Sequence, residues 1–168
     1  MSQATNAMLS ELREEAIITK RVLERVPSDK LSWRPHAKSM SLGQLALHVA
    51  SIPGNLTRLT QLDEFDAAQA NFNPPEPKGL SEIHAALEQS VRSAEEHLAS
   101  MTEKVASANW RLTLRGKELF SRPRIAVLRS IMLNHWYHHR GQLSVYLRLL
   151  DVPVPIIYGR SADENPFE

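Results

Sequence analysis

The stretch LNHWYHHRGQLSVY, residues 133–146, places His135 and His139 one helical turn apart in a segment poor in charge. Side chains at i and i+4 lie on one helical face, and two imidazoles so spaced can share a metal ion. Around this pair, Ile125, Leu128, Met132, His135, His139, Leu143, Tyr146 and Leu150 form a stripe about 100° wide at 3.6 residues per turn. The spacing predicts a helix over residues 123–150, with Pro123 tolerated in its first turn and both histidines facing the core. Val127, Ile131, Val145 and Leu149 make a second apolar edge and Leu133, Trp136 and Leu147 a third. That is more apolar surface than one core contact needs, so a second buried face, in a homodimer, is expected.

Upstream the period changes. In WRLTLRGKELF, Leu112 and Leu114 alternate with polar residues before Gly116, and Leu119 and Phe120 follow it; this predicts a short hairpin within residues 109–121. Before it, Ile83, Leu87, Val91, Leu98 and Met101 predict a helix over residues 81–104. A polar, proline-containing connection spans residues 63–79.

A further helix is expected to begin at Ser41, which has the capping-box spacing to Gln44. Its apolar face carries Leu45, His48, Ile52 and Leu59, and Pro53 with Gly54 should kink or break it just past His48. The segment SDKLSWRPHAKSM reads as an ordered connection. The first helix, residues 3–26, should bury Met8, Leu12, Thr19, Leu23 and Val26 and stop at Pro27. Together these elements predict an all-α fold, a four-helix bundle with a long crossover and a short β-hairpin insertion before the last helix. All of residues 1–168 are expected to form a single domain.

Composition excludes several functions. The formal charge is +1 and the charges are interspersed, so neither nucleic acid nor an anionic membrane is an expected partner. There is no cysteine, hence no disulfide, thiolate ligand or catalytic thiol. Glu11, Arg13, Glu14, Glu15, Lys20 and Arg21 interrupt any apolar run that a signal peptide would need. No stretch offers the roughly eighteen uncharged apolar residues of a membrane span, and a cytoplasmic protein is expected.

His48 on the second helix is the candidate third ligand for His135 and His139. Three neutral imidazoles satisfy zinc, nickel or ferrous iron while leaving a position for water or substrate. The competing reading is three separately buried core histidines, each hydrogen-bonded to a carbonyl or side chain. His138 lies about 60° from His135 around the helix and could replace or join the pair, although i,i+4 geometry favours His139. His36, His84 and His97 are given no role. Gln44, Asn55 and Gln142 lie near the histidine faces and could orient a ligand. The helix does not read HExxH, and no carboxylate occurs between Pro123 and Leu150, so the general base of a zinc peptidase is missing. What remains is a Lewis-acid ion able to activate water or an incoming thiol.

SLGQLALHVASI, followed by LNHWYHHRGQLSVYLRLLDVPVPIIYGRSADE, resembles the DinB-like superfamily of metal-binding four-helix bundles. The WRP segment before the second helix and the hairpin stretch WRLTLRGKELF are similar to that family too, so the resemblance covers most of the chain. It implies His48, His135 and His139 as ligands of a divalent ion, nickel or zinc first and iron or manganese next, and a homodimer. Two functions are then open. One is a metal-dependent enzyme, a thiol S-transferase or a hydrolase, that activates a low-molecular-weight thiol or water toward a small-molecule substrate. The other is a non-catalytic, metal-stabilised, stress-related binding protein. The proline-rich C-terminal segment is expected to fold over one end of the bundle as an ordered tail, where Tyr158 or Arg160 could meet a substrate.

Overall fold

A computed structural model describes residues 3–71 and 73–167. The chain forms α1 (Gln3–Leu23), α2 (Leu42–Leu59), β1 (Glu64–Asp66), α3 (Leu80–Ser100), α4 (Glu103–Ser107), β2 (Asn109–Leu114) and β3 (Lys117–Pro123). A composite last helix follows, built from α5 (Arg124–Val127), a π-helical segment (Leu128–Leu133) and α6 (Asn134–Leu149). Its junction residues Val127, Leu128, Leu133 and Asn134 all keep right-handed helical dihedrals, so the rod is unbroken. The fold is mainly helical, as expected. No helix among the described residues is long and apolar enough to cross a membrane.

α1 buries the stripe read from its spacing: Met8, Leu12, Thr19 and Leu23, with Val26 beyond its end. The helix stops at Leu23, a turn before Pro27. The connection after it is ordered by backbone bonds from Leu42 N–H to Trp33 O (2.8 Å) and from Gly43 N–H to Leu31 O (2.8 Å). α2 starts at the capping box: Gln44 N–H donates to Ser41 Oγ, and Ser41 N–H donates to Gln44 Oε1. It then runs through Pro53 and Gly54 to Leu59 without stopping.

At Gly54, α2 and α3 approach closely. A Cβ there would sit 2.9 Å from Ser90 Cα, and Gly54 N–H donates to Ser90 Oγ at 2.8 Å. Buried Ser90 and Ala94 supply the small facing surface on α3. α3 itself ends at Ser100 instead of continuing to 104. Thr102 accepts from Val105 N–H and caps the separate short helix α4.

The hairpin forms as expected, with Arg115 (φ 51°) and Gly116 (φ 79°) in its two-residue turn. Both residues have positive φ, the requirement of the turn that matches strand twist. The predicted loop 63–79 is corrected at its start, where Glu64–Asp66 adds a third strand parallel to β2, giving the order β1-β2-β3. Trp110 is buried to 3 % exposure and its Nε1–H donates to Leu59 O (3.2 Å), which pins the sheet to the end of α2.

The last helix carries the main correction. Its buried line is Arg124, Leu128, Met132, Trp136 and Arg140, then Leu143 and Leu147. Five residues at a spacing of four would drift around an ideal α-helix by about 40° per step. Here the π segment widens the turns, with Asn134 N–H donating to Arg129 O in an i→i−5 bond, and the spacing of four stays on one face. Trp136 and Arg140 therefore take the centre of the core, while His135 and His139 stand at its edge, half-buried. Val145 and Leu149 are exposed.

Arg140, with its side chain 1 % exposed, pairs with Glu15 of α1 at 2.5 Å and donates to Thr19 Oγ1 and Tyr158 Oη. The C-terminal segment is ordered by ion pairs of Glu164 with Arg21 and Arg25 and of Asp163 with Arg148. Tyr158 thus serves the Arg140–Glu15 pair, donating to Glu15 Oε2 at 3.1 Å.

Candidate metal centre

His48 and His135 are brought together by a backbone device one residue further along each helix. Pro53 has no N–H, so the α2 bond that residue 53 would give to Val49 O is missing. Trp136 Nε1–H occupies that vacated carbonyl at 2.9 Å, and Trp136 is fully buried. A kink signal in one helix thereby becomes the anchor point of another. Val49 follows His48 and Trp136 follows His135, so the bond fixes the two histidines opposite each other.

His48 Nε2 and His135 Nε2 lie 3.1 Å apart. The ring centroids of His48, His135 and His139 are separated by 5.3, 4.6 and 4.5 Å. One nitrogen from each ring falls within 4.8 Å of the other two, and among the described residues these three make the group able to hold a metal. Nitrogens bound to one ion at about 2.0–2.1 Å stand about 2.8–3.4 Å apart at ligand angles of about 90–109°. The His48–His135 separation lies inside that span, and His139 offers a nitrogen within 4.8 Å of both, a donor set of the kind that takes a first-row divalent ion.

Protonation favours the same reading. Burial, followed by the neighbouring His139 and His135 rings, holds His48 down to about 4. His135 is likewise held down to about 4 by burial and then by His139 and His138. Burial also lowers His139, against a hydrogen bond to Gln142 that works in the other direction. All three rings are therefore neutral at pH 7, each with one unprotonated nitrogen able to take a cation. His139 Nδ1–H donates to Gln142 Oε1 at 2.6 Å, which sets the tautomer that leaves Nε2 unprotonated, a common arrangement behind metal-binding histidines.

The structure brings His48, His135 and His139 together and leaves His138 exposed, 4.9 Å from His139 between ring centroids and outside the group. Of the three candidate orienting amides, Gln142 reaches a histidine. Gln44 is used by its capping box and by Pro74 O. Asn55 lies with His48 on the wall of a polar cavity of about 330 Å³, together with Ser51, Asn71 and Asn73. His135 lines a second cavity, apolar and of about 240 Å³. His36 accepts from Lys38 N–H in an exposed turn. His97 stands apart beside Arg124, its buried Nε2 without a hydrogen-bond partner among the described residues. Sequence reasoning missed the Pro53–Val49–Trp136 contact. The available signal was the pairing of a helix-interior proline four residues past a free carbonyl with a tryptophan beside a candidate ligand.

A family model described as the DinB family matches residues 1–166. The uncharacterized protein YrdA of Bacillus subtilis strain 168 is 26% identical over 165 residues, covering 98% of this chain and 93% of that protein. Among solved structures, a DinB-like protein of Bacillus cereus ATCC 10987 superposes with a TM-score of 0.68 at 22% identity, over 89% of this chain and 95% of that one. The DinB-like protein YjoA of Bacillus subtilis also gives a TM-score of 0.68, at 18% identity, over 89% and 96% of the two chains. A putative DinB family member from Exiguobacterium sibiricum 255-15 gives 0.66 at 19% identity, over 93% and 97%. These likenesses show the fold.

Proposed function

The chain belongs to the DinB family, and from that membership we propose that it is a metal-dependent enzyme whose ion is held by His48, His135 and His139. The observation that carries the reading is the convergence of three neutral imidazoles at a spacing suited to one ion, between a polar and an apolar cavity. Nickel and zinc suit an imidazole set, as does iron, with manganese the weakest binder of the series. Such an ion supplies Lewis acidity, which lowers the pKa of a thiol or water placed on it.

The chain's own residues account for the remainder. Gln142 holds His139 in the ligating tautomer, and the Trp136–Val49 bond fixes the distance between the two helices that donate ligands. Ser51, Asn55, Asn71 and Asn73 offer neutral hydrogen-bonding groups beside His48. The histidine group contains no carboxylate, so the proton of an incoming thiol or water passes to solvent or to the leaving group. The chain has no cysteine, so a reacting thiol comes from outside, as a low-molecular-weight cosubstrate.

The test is metal content by elemental mass spectrometry on wild type, His48→Ala and His135→Ala, followed by conjugation of a model electrophile with glutathione or bacillithiol. Near-stoichiometric metal in wild type, lost in both variants, and thiol-dependent turnover abolished by chelation are the expected results. Metal binding without turnover for any thiol or water would favour a non-catalytic reading instead. In that reading the ion clamps α2 to the last helix, joining His48 and His135 across 87 positions of sequence, in a metal-stabilised binding protein.

A further inference from the structure

The apolar cavity beside His135 is built by the same two helices that carry the histidines. Along α2, Leu56 and Leu59 lie two and three turns past His48. Along the last helix, Leu128, Ile131 and Met132 precede His135. The sheet closes the far side with Phe65 of β1 and Trp110 and Leu112 of β2. The added strand β1, which has no equivalent in a plain four-helix bundle, thus forms part of a chamber wall that ends at a candidate ligand.

Among the described residues, no side chain lining this chamber carries a formal charge. Its polar groups other than His135 are already engaged: Trp110 Nε1–H with Leu59 O, and Thr60 Oγ1–H with Thr57 O. An ionised group entering the chamber would lose its hydration without a partner, at a cost of several kcal/mol. A benzene-sized guest occupies an apolar cavity of about 150 Å³. At about 240 Å³ this one has room for a substituted ring or a short branched alkyl chain.

We propose that the chamber is the specificity pocket of the site: it takes an uncharged aryl or alkyl group of the substrate and presents the atom joined to that group at the His135 edge. This deepens the reading above and rests on it for the reaction. The pocket itself is tested independently.

The experiment measures saturable binding of fluorobenzene by ¹⁹F NMR to protein stripped of metal with dipicolinate and to the same protein reloaded with zinc. Benzoate is the charged control, compared on stripped protein so that it has no ion to bind. Ala67→Phe and Ile131→Trp fill the chamber from the loop side and from the helix. Ala70→Leu is a milder filling variant should those two fail to fold by circular dichroism. The expected result is binding to both forms of wild type, at least about tenfold weaker in the filled variants and for benzoate. Absence of saturable fluorobenzene binding, equal binding by the folded filled variants, or equal affinity for benzoate would each overturn the pocket. Zinc stoichiometry is read on the same samples. Fluorobenzene binding without zinc uptake would sink the metal reading and leave the pocket standing, and the reverse pattern would sink the pocket alone.

Discussion

Gln142 is the residue with the most direct hold on the candidate ligands. Its carbonyl fixes the His139 tautomer, and loss of such a partner commonly weakens metal affinity by about 10–100-fold. Gln142→Leu should show that loss in a chelator competition with unchanged circular dichroism, because residue 142 is exposed. Equal affinity would mean that His139 is oriented by something else. Acid should also act on the histidines themselves. His48 and His135 titrate near 4 in the fold and near 6.5 in an unfolded chain. Below about pH 6.5 the unfolded state takes up protons that the native state refuses. Their contribution is intact above that pH and is lost as pH falls toward 4. The metal-free protein should therefore melt at a lower temperature at pH 5 than at pH 7.5, and replacing His48 and His135 together by Gln should flatten this dependence.

At the scale of elements, the contact of α2 with the last helix is a trade between Pro53 and Trp136. Removing the indole donor by Trp136→Phe leaves Val49 O buried without a partner, at about 1–3 kcal/mol beyond any packing loss. Adding Pro53→Ala restores a backbone N–H four residues after Val49, so the double variant should recover part of the stability lost by the single one. Urea unfolding of the four proteins measures this coupling, and strict additivity would show that Val49 O does not link the two sites. The α2–α3 contact depends on the absence of a side chain. Gly54→Ala gains helix propensity of about 1 kcal/mol but places a Cβ 2.9 Å from Ser90 Cα, and backbone cannot yield as a flexible side chain does. A net loss of about 1–3 kcal/mol is expected, read as a lower urea midpoint; a stabilised variant would show that the helices can separate at no cost.

Over the whole molecule, an ion shared by α2 and the last helix would stabilise the native state by mass action, about 2.7 kcal/mol at a free concentration one hundred times its Kd. Chelation should lower Tm in wild type and leave His135→Ala unchanged; identical chelator responses would remove the ion from the fold's stability. Much of this arrangement was legible in one dimension. The stripe of α1, the Ser41 capping box and the turn at Gly116 follow from spacing, because local propensity and tertiary packing agree at those positions, and spacing also singled out the His135–His139 pair as candidate ligands. The face of the last helix was not legible past Leu128. A period of 3.6 assumes α-helical turns throughout, and the π segment moves the core line from His135 and His139 to Trp136 and Arg140. The strand at residues 64–66 was hidden for a related reason: three residues carry no readable period, and β2 alone gives them a partner. The sequence by itself determined the helices, their caps and which side chains were available as ligands, since these rest on contacts within a few residues. Only the tertiary structure decided that Trp136 uses the carbonyl Pro53 leaves free, that three imidazoles from distant helices converge, and that a sheet walls a chamber beside them, because each of these joins groups with no common local signal.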